Sequence, residues 1–156
     1  MIDIDLFVNA FAVMFSTILP FIELRGGIPI ALALGFTPLE ALILTVPVNA
    51  ILFIPLYLLL DAFYDRYFSR IGLVRSLVTR ARSKGERYVR KYGFLGLGIL
   101  AAIPLPFFGV YSATIVSWLL KLEWKKSSLV VAIGILLEGF LVLGFSLGVI
   151  AILPSI

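Results

Sequence analysis

The stretch PFIELRGGIP sets a carboxylate, Glu23, and a guanidinium, Arg25, beside Gly26 and Gly27 and between Pro20 and Pro29. It lies inside the first apolar region of a 156-residue chain that is 62% hydrophobic. On insertion scales each ionised residue at mid-bilayer costs ~2.5–3.5 kcal/mol, so two without a use are not expected to persist. Two positions apart, they do not stack on one helical face. An unwound backbone is what lets both turn inward. The glycines allow such a turn and leave amide N–H groups uncovered, and a limb starting near Ile28–Pro29 aims its positive dipole end at the same spot. The expected result is an anion site of one guanidinium, free amides and a helix N-terminus, suited to a phosphate or a carboxylate. Glu23 then either orients Arg25 or exchanges protons as the ligand comes and goes. The plain alternative is an ion pair that pins the tip without any ligand.

A second carboxylate, Glu138, stands near the middle of the last apolar region, in GILLEGF. An unpaired charge is expensive there, which makes Glu138 a candidate for proton coupling; a neutral acid bonded to a neighbouring helix is the alternative. Asn49, in the second region, either lines the same cavity or, the preferred reading, serves as inter-helix glue, and Gly144 and Gly148 of GFSLG read as a close-packing or dimerisation face. Ser112, Thr114 and Ser117 either hydrate a pathway or satisfy backbone groups of a broken helix. The chain has no cysteine and no histidine. Disulfides, Cys/His metal sites, thiol nucleophiles and imidazole chemistry are excluded, and no serine has an identifiable base, so neither an enzyme, a cofactor nor a metal is expected.

These residues need elements to hold them in place. A mean hydropathy of +1.13 with only 14% charged residues points to an integral membrane protein. The acidic start, MIDID, with no small-residue cleavage site after the first apolar run, suggests no cleaved signal peptide. Apolar regions cover Ile4–Gly35, Pro38–Leu60, Gly93–Leu120 and Ser127–Leu153. The second and fourth suit one crossing each of a ~30 Å core. In TPLE, Thr37 as N-cap, Pro38 at N1 and Glu40 at N3 form a capping box, so a break is expected at Gly35–Phe36. Ile4–Gly35, about 48 Å if helical, is long for one crossing and short for two. Gly93–Leu120 is interrupted at IPLPFFG, by Pro104, Pro106 and Gly109. Two hairpins that enter the bilayer, turn near mid-depth and leave on the same side fit both lengths, provided protein or a water-filled cavity covers the tips.

Charge selects the same arrangement. Of thirteen Lys/Arg, nine lie between Arg66 and Lys91 and three at Lys121, Lys125 and Lys126. Two re-entrant hairpins plus two crossings put both basic loops on the cytoplasmic side and both termini outside. Trp118 and Trp124 flank the second loop like an interfacial belt. A shift of 84 residues superposes Pro20 on Pro104, each followed by an apolar limb, a short loop and a crossing helix. The expected fold is therefore an all-α integral membrane domain over 1–156, built as two inverted repeats (1–60 and 93–156). A basic amphipathic helix at 61–92 joins them and rides on anionic inner-leaflet head groups; the alternative is a solvated loop that only sets orientation. Between membrane segments such a basic stretch implies lipid rather than nucleic acid. So small a module has little protein to cover polar tips, so a homodimer is expected.

ELRGGIPIALALG followed by KYGFLGLGILAAIPLPFFG resembles the small multidrug export protein family, itself similar to the DedA superfamily of membrane transporters with two opposed re-entrant hairpins. The resemblance runs from about Leu19 to the C-terminus. It places Glu23, Arg25, Gly26, Gly27 and Pro29 at the first tip and Pro104, Pro106 and Gly109 at the second, as the substrate-binding set. DedA relatives are implicated in moving polyprenyl-phosphate carriers, often with proton-motive force, and usually carry an arginine in the second hairpin; PLPFFGVYSA has no charge. The resulting expectation is a cell-membrane, multi-pass transporter of an anionic amphiphile such as a polyprenyl phosphate or related phospholipid. Proton or sodium coupling would run through Glu23 and Glu138. The rivals are a proton-coupled exporter of cationic drugs and a non-transporting scaffold acting through its basic helix. Because the chain lacks cysteine, single cysteines at Phe36 and Leu122 are expected to label from opposite sides of the membrane; labelling from one side refutes the hairpins.

Overall fold

The computed structural model describes residues 4–66, 76, 79–80, 92–105 and 108–152, and no strand occurs among them. The helices are α1 (Ile4–Ile18), α2 (Glu23–Ala33), α3 (Pro38–Ile51) and α4 (Phe53–Arg66). They continue with α5 (Tyr92–Ala102), α6 (Val110–Leu119) and α7 (Trp124–Ile152). Helix α4 runs past Leu60 to Arg66, while most of the amphipathic helix expected over 61–92 lies outside the described residues, as does Pro106.

The first apolar region breaks at Leu19–Ile22, around Pro20, and not at the glycines. A tight turn closes the break: Ile22 N–H donates to Leu19 O at 3.1 Å and Glu23 N–H to the same oxygen at 3.2 Å. Phe21 and Glu23 adopt positive φ, 82° and 43°, a region that side chains with a Cβ rarely occupy. The other end of α2 follows sequence logic closely. Gly35, with φ 88°, lets Phe36 N–H reach Ala31 O and Gly35 N–H reach Leu32 O, both at 3.1 Å, a Schellman closure. Thr37 then caps α3, its N–H donating to Glu40 Oε2 at 2.7 Å while its hydroxyl oxygen accepts from Glu40 N–H at 3.4 Å. Helix α6 ends the same way, with Lys121 at φ 52° in the glycine position. Leu122 N–H donates to Ser117 O at 3.0 Å and Lys121 N–H to Trp118 O at 3.1 Å. A short helix, a Schellman closure and a long helix thus occur in both halves.

Two stretches, Pro38–Tyr64 and Trp124–Val149, are long and apolar enough to cross a membrane. The first is interrupted at Leu52 between α3 and α4; Pro55 cannot donate to Ile51 O, one turn back. Helices of 15, 11 and 10 residues, α1, α2 and α6, reach only about 22, 16 and 15 Å, short of a ~30 Å core.

The exterior is as apolar as the core. On α7, Ser127, Val131, Gly134, Ile135, Glu138, Gly139 and Val142 are buried, whereas Leu129, Ile133, Leu137, Phe140 and Phe145 face outward. Thr17, Glu23, Thr45, Asn49, Thr114 and Ser117 are buried too. An apolar exterior with the polar side chains held inside, among an apolar core, suits a lipid solvent, and the protein is a membrane protein. Glycines set the approach of neighbours: a Cβ at Gly134 would overlap Gly98 O of α5, and one at Gly139 would press on Val46 and Leu42 of α3. Asn49 joins α3 to the end of α1, donating to Thr17 O at 3.4 Å. Trp118 departs from the belt expectation. It is buried, donating to Asp61 Oδ1 at 3.3 Å, while Trp124 stays exposed. Gly144 and Gly148 meet no neighbour among the described residues. Gly134→Val is therefore expected to destabilise the fold by ~1–3 kcal/mol. Gly144→Ala, in open space, should be neutral or stabilising by up to ~1 kcal/mol. Thermal unfolding in detergent measures both, and equal effects would refute this packing.

Candidate substrate cleft and buried ion pair

The turn at Leu19–Ile22 delivers Glu23 and Arg25 to the same place despite their spacing. Because Glu23 leaves helical φ, its carboxylate turns back toward the guanidinium, with Glu23 Oε2 3.4 Å from Arg25 Nη2. The Glu23 side chain is 3% exposed and that of Arg25 16%. Neither group is saturated: Glu23 Oε2 and Arg25 Nε have no hydrogen-bond partner among the described residues.

The free amides expected at Gly26 and Gly27 are corrected by the helix start. Helix α2 begins at Glu23, so both glycines and Pro29 lie within it, and Gly26 N–H donates to Ile22 O at 2.9 Å. The positive end of the limb therefore lies at Glu23, not at Ile28–Pro29, and no side chain caps it. The glycines serve packing instead. A Cβ at Gly27 would overlap the Thr17 hydroxyl on α1, and one at Gly26 would overlap Ile22. Pro29 has no N–H, which leaves Arg25 O without its usual partner.

The second tip docks onto the first. Gly109 has φ 98°, and a Cβ there would overlap the Glu23 carboxylate. Next to it, the Tyr111 hydroxyl donates to Ile18 O at the end of α1. Gly109 N–H in turn donates to Leu100 O at 3.3 Å, tying α6 back to α5. Ser112 and Thr114 bond backbone carbonyls of their own helix, Gly109 O at 3.2 Å and Val110 O at 2.6 Å. Sequence reasoning placed Gly109 at a tip, but it carried no sign that this tip meets Glu23.

From α7, Glu138 completes the cluster. It is fully buried, both carboxylate oxygens lack a partner among the described residues, and it lies within electrostatic reach of Glu23 and Arg25. Beside this cluster opens a cleft of about 750 Å³, lined by Arg25, Pro29 and Leu32 of α2, Pro104 and Leu105 of the second turn, and α7 from Val142 to Val149. Arg25 is the one charged residue among the described residues of its wall. Of the expected binding set, Arg25, Pro29 and Pro104 line the cleft; Glu23, Gly26, Gly27 and Gly109 build the support behind it. No Asp/Glu cluster among the described residues could hold a metal ion.

A family model described as "Putative small multi-drug export protein" matches residues 23–141, most of the chain, and that span takes in Glu23, Arg25, Gly109 and Glu138. No curated protein and no solved structure matches the chain.

Gly109→Ala introduces both a strained φ and an overlap with Glu23, so a loss of ~1–3 kcal/mol is expected. Removing the carboxylate relieves the overlap. In a Glu23→Ala background the same substitution should cost at least ~1 kcal/mol less. Strict additivity in thermal unfolding would show that the two tips do not meet.

Proposed function

Because the chain belongs to the small multi-drug export family, we propose that it is a multi-pass membrane transporter whose cargo is an anionic amphiphile, a phosphate-bearing lipid such as a polyprenyl phosphate fitting best. One observation carries this reading: a cleft of about 750 Å³ with apolar walls and a single guanidinium, Arg25, among its described wall residues. A head group pairs with Arg25. A chain follows α7 from Val142 to Val149, about 10 Å along the helix. The neutral second tip suits the same cargo, since one phosphate monoanion needs one cation.

Supporting the placement in the membrane, Glu138 stands near the middle of the Trp124–Val149 span and interacts with the tip residues Glu23 and Arg25. That level is mid-depth, where α1 with α2 and α5 with α6 are re-entrant hairpins of an inverted repeat. The basic 61–92 segment faces the cytoplasm and its anionic head groups, and the termini face outward. A dimer covers the open face of α7 at Gly144 and Gly148.

Export of cationic drugs is the second reading, favoured by the family description and by two buried carboxylates. Against it stands the cleft wall, which presents Arg25 and neither acid. A scaffold acting through its basic segment would need no cleft. Flux into liposomes separates the three. Polyprenyl phosphate is expected to move and a cationic dye not, and Arg25→Gln is expected to lower lipid flux at least ~10-fold, the cost of one lost charge-assisted contact. Dye transport that survives Arg25→Gln, with no lipid flux, refutes the proposal in favour of drug export. Loss of function only when the basic residues of 66–91 are neutralised supports the scaffold.

A further inference from the structure

The buried cluster holds one cation for two carboxyl groups. Arg25 already faces Glu23 at 3.4 Å. Glu138, fully buried and with both oxygens unpartnered among the described residues, shares the same electrostatic neighbourhood. A cargo head group in the cleft would be a third claimant on one guanidinium. In apolar surroundings an uncompensated carboxylate is costly, so the surplus negative charge has to leave or be neutralised. Glu23 cannot swing into water, because it is 2% exposed and backed by Gly109. Taking up a proton neutralises it in place.

Resting on the transport reading above, we infer that Glu23 is the internal stand-in for the cargo: an anion arriving at Arg25 displaces the Glu23 carboxylate, which takes up one proton. With Glu138 neutral in both states, the charges balance. Before binding, Glu23 and Arg25 form a neutral pair; afterwards the head group and Arg25 form one, and Glu23 is a neutral acid. The proton comes from the aqueous phase and returns there when the anion leaves. Each group facing Glu23 fits this account. On α2 it is Arg25, on α7 Glu138, and on the second tip Gly109 and Tyr111, whose hydroxyl is engaged with Ile18 O. The buried polar side chains of α1 and α3, Thr17, Thr45 and Asn49, carry no charge. Glu138 has no cation of its own to exchange, so the exchange falls to Glu23. The result is obligatory co-movement of one proton with one negative charge.

The test uses the full chain in phosphatidylcholine nanodiscs and decyl sulfonate, whose head group keeps its charge from about pH 6 to about pH 8, so any proton counted belongs to the protein. At the alkaline end of that range, titration calorimetry in buffers of different ionisation enthalpy is expected to show about one proton taken up per sulfonate bound. Where Glu23 is ionised in the free protein, affinity should fall about tenfold per unit rise in pH. Glu23→Gln should abolish the uptake and the pH dependence, and should bind more tightly at high pH because the internal competitor is gone. Binding that needs Arg25 but takes up no proton overturns the inference and leaves the transport reading standing. Proton uptake that persists in Glu23→Gln overturns the assignment to Glu23. Binding that is absent, or unchanged by Arg25→Gln, removes the reading on which the inference rests. The wild-type proton count stands even if the variant fails to fold.

Discussion

Arg25 and Glu23 face each other at 3.4 Å in surroundings where neither charge would be stable alone. Removing one partner of such a buried pair typically costs ~3–5 kcal/mol, so the chain around it has to hold both in place. The local structure follows from that demand. Two residues apart on a regular helix, the side chains diverge, so the backbone departs from helical geometry at Glu23, and Pro20 supplies the preceding break. The carboxylate then needs space on its far side. A residue without a Cβ provides it at Gly109, which binds the geometry of one tip to that of the other.

Outside this cluster the fold relies on close approach rather than on apolar burial, because lipid offers greasy side chains as good a home as the core does. Gly27 against Thr17, Gly134 against Gly98 and Gly139 against Val46 bring helices close enough for backbone and small polar groups to touch. Hydroxyls of Thr17, Thr45 and Thr114 return to their own helix, to Val13 O, Ala41 O and Val110 O. These threonines satisfy themselves within an otherwise apolar core. The exceptions, Glu23, Arg25, Asn49, Ser117, Ser127 and Glu138, include the groups at which chemistry is expected.

Local signals in the sequence were legible and distant ones were not. TPLE announced its capping box, and the break at Gly35–Phe36 followed from it. The matching closure before Lys121 was hidden, because lysine carries no preference for left-handed backbone. Gly26 and Gly27 looked like a turn, but the turn came at Pro20: a proline restricts its neighbours everywhere, whereas paired glycines can also mark close helix contact. Glu23, Arg25 and Glu138 stood out because charge is rare in such a chain. The meeting of Glu23 with Gly109 is a contact across more than eighty residues, which no periodicity encodes. Trp118 was misplaced for a similar reason: its partner, Asp61, lies on another helix.

The two long apolar stretches differ in one respect that bears on motion. Helix α7 is continuous for 29 residues, whereas its counterpart is divided at Leu52, with Pro47 and Pro55 on either side. A rod lacking those backbone bonds bends there at little expense, while an unbroken one resists. Helix α7, which carries Glu138 and one wall of the cleft, is thus the keel of the molecule. Bending is therefore easier at Leu52 than along α7.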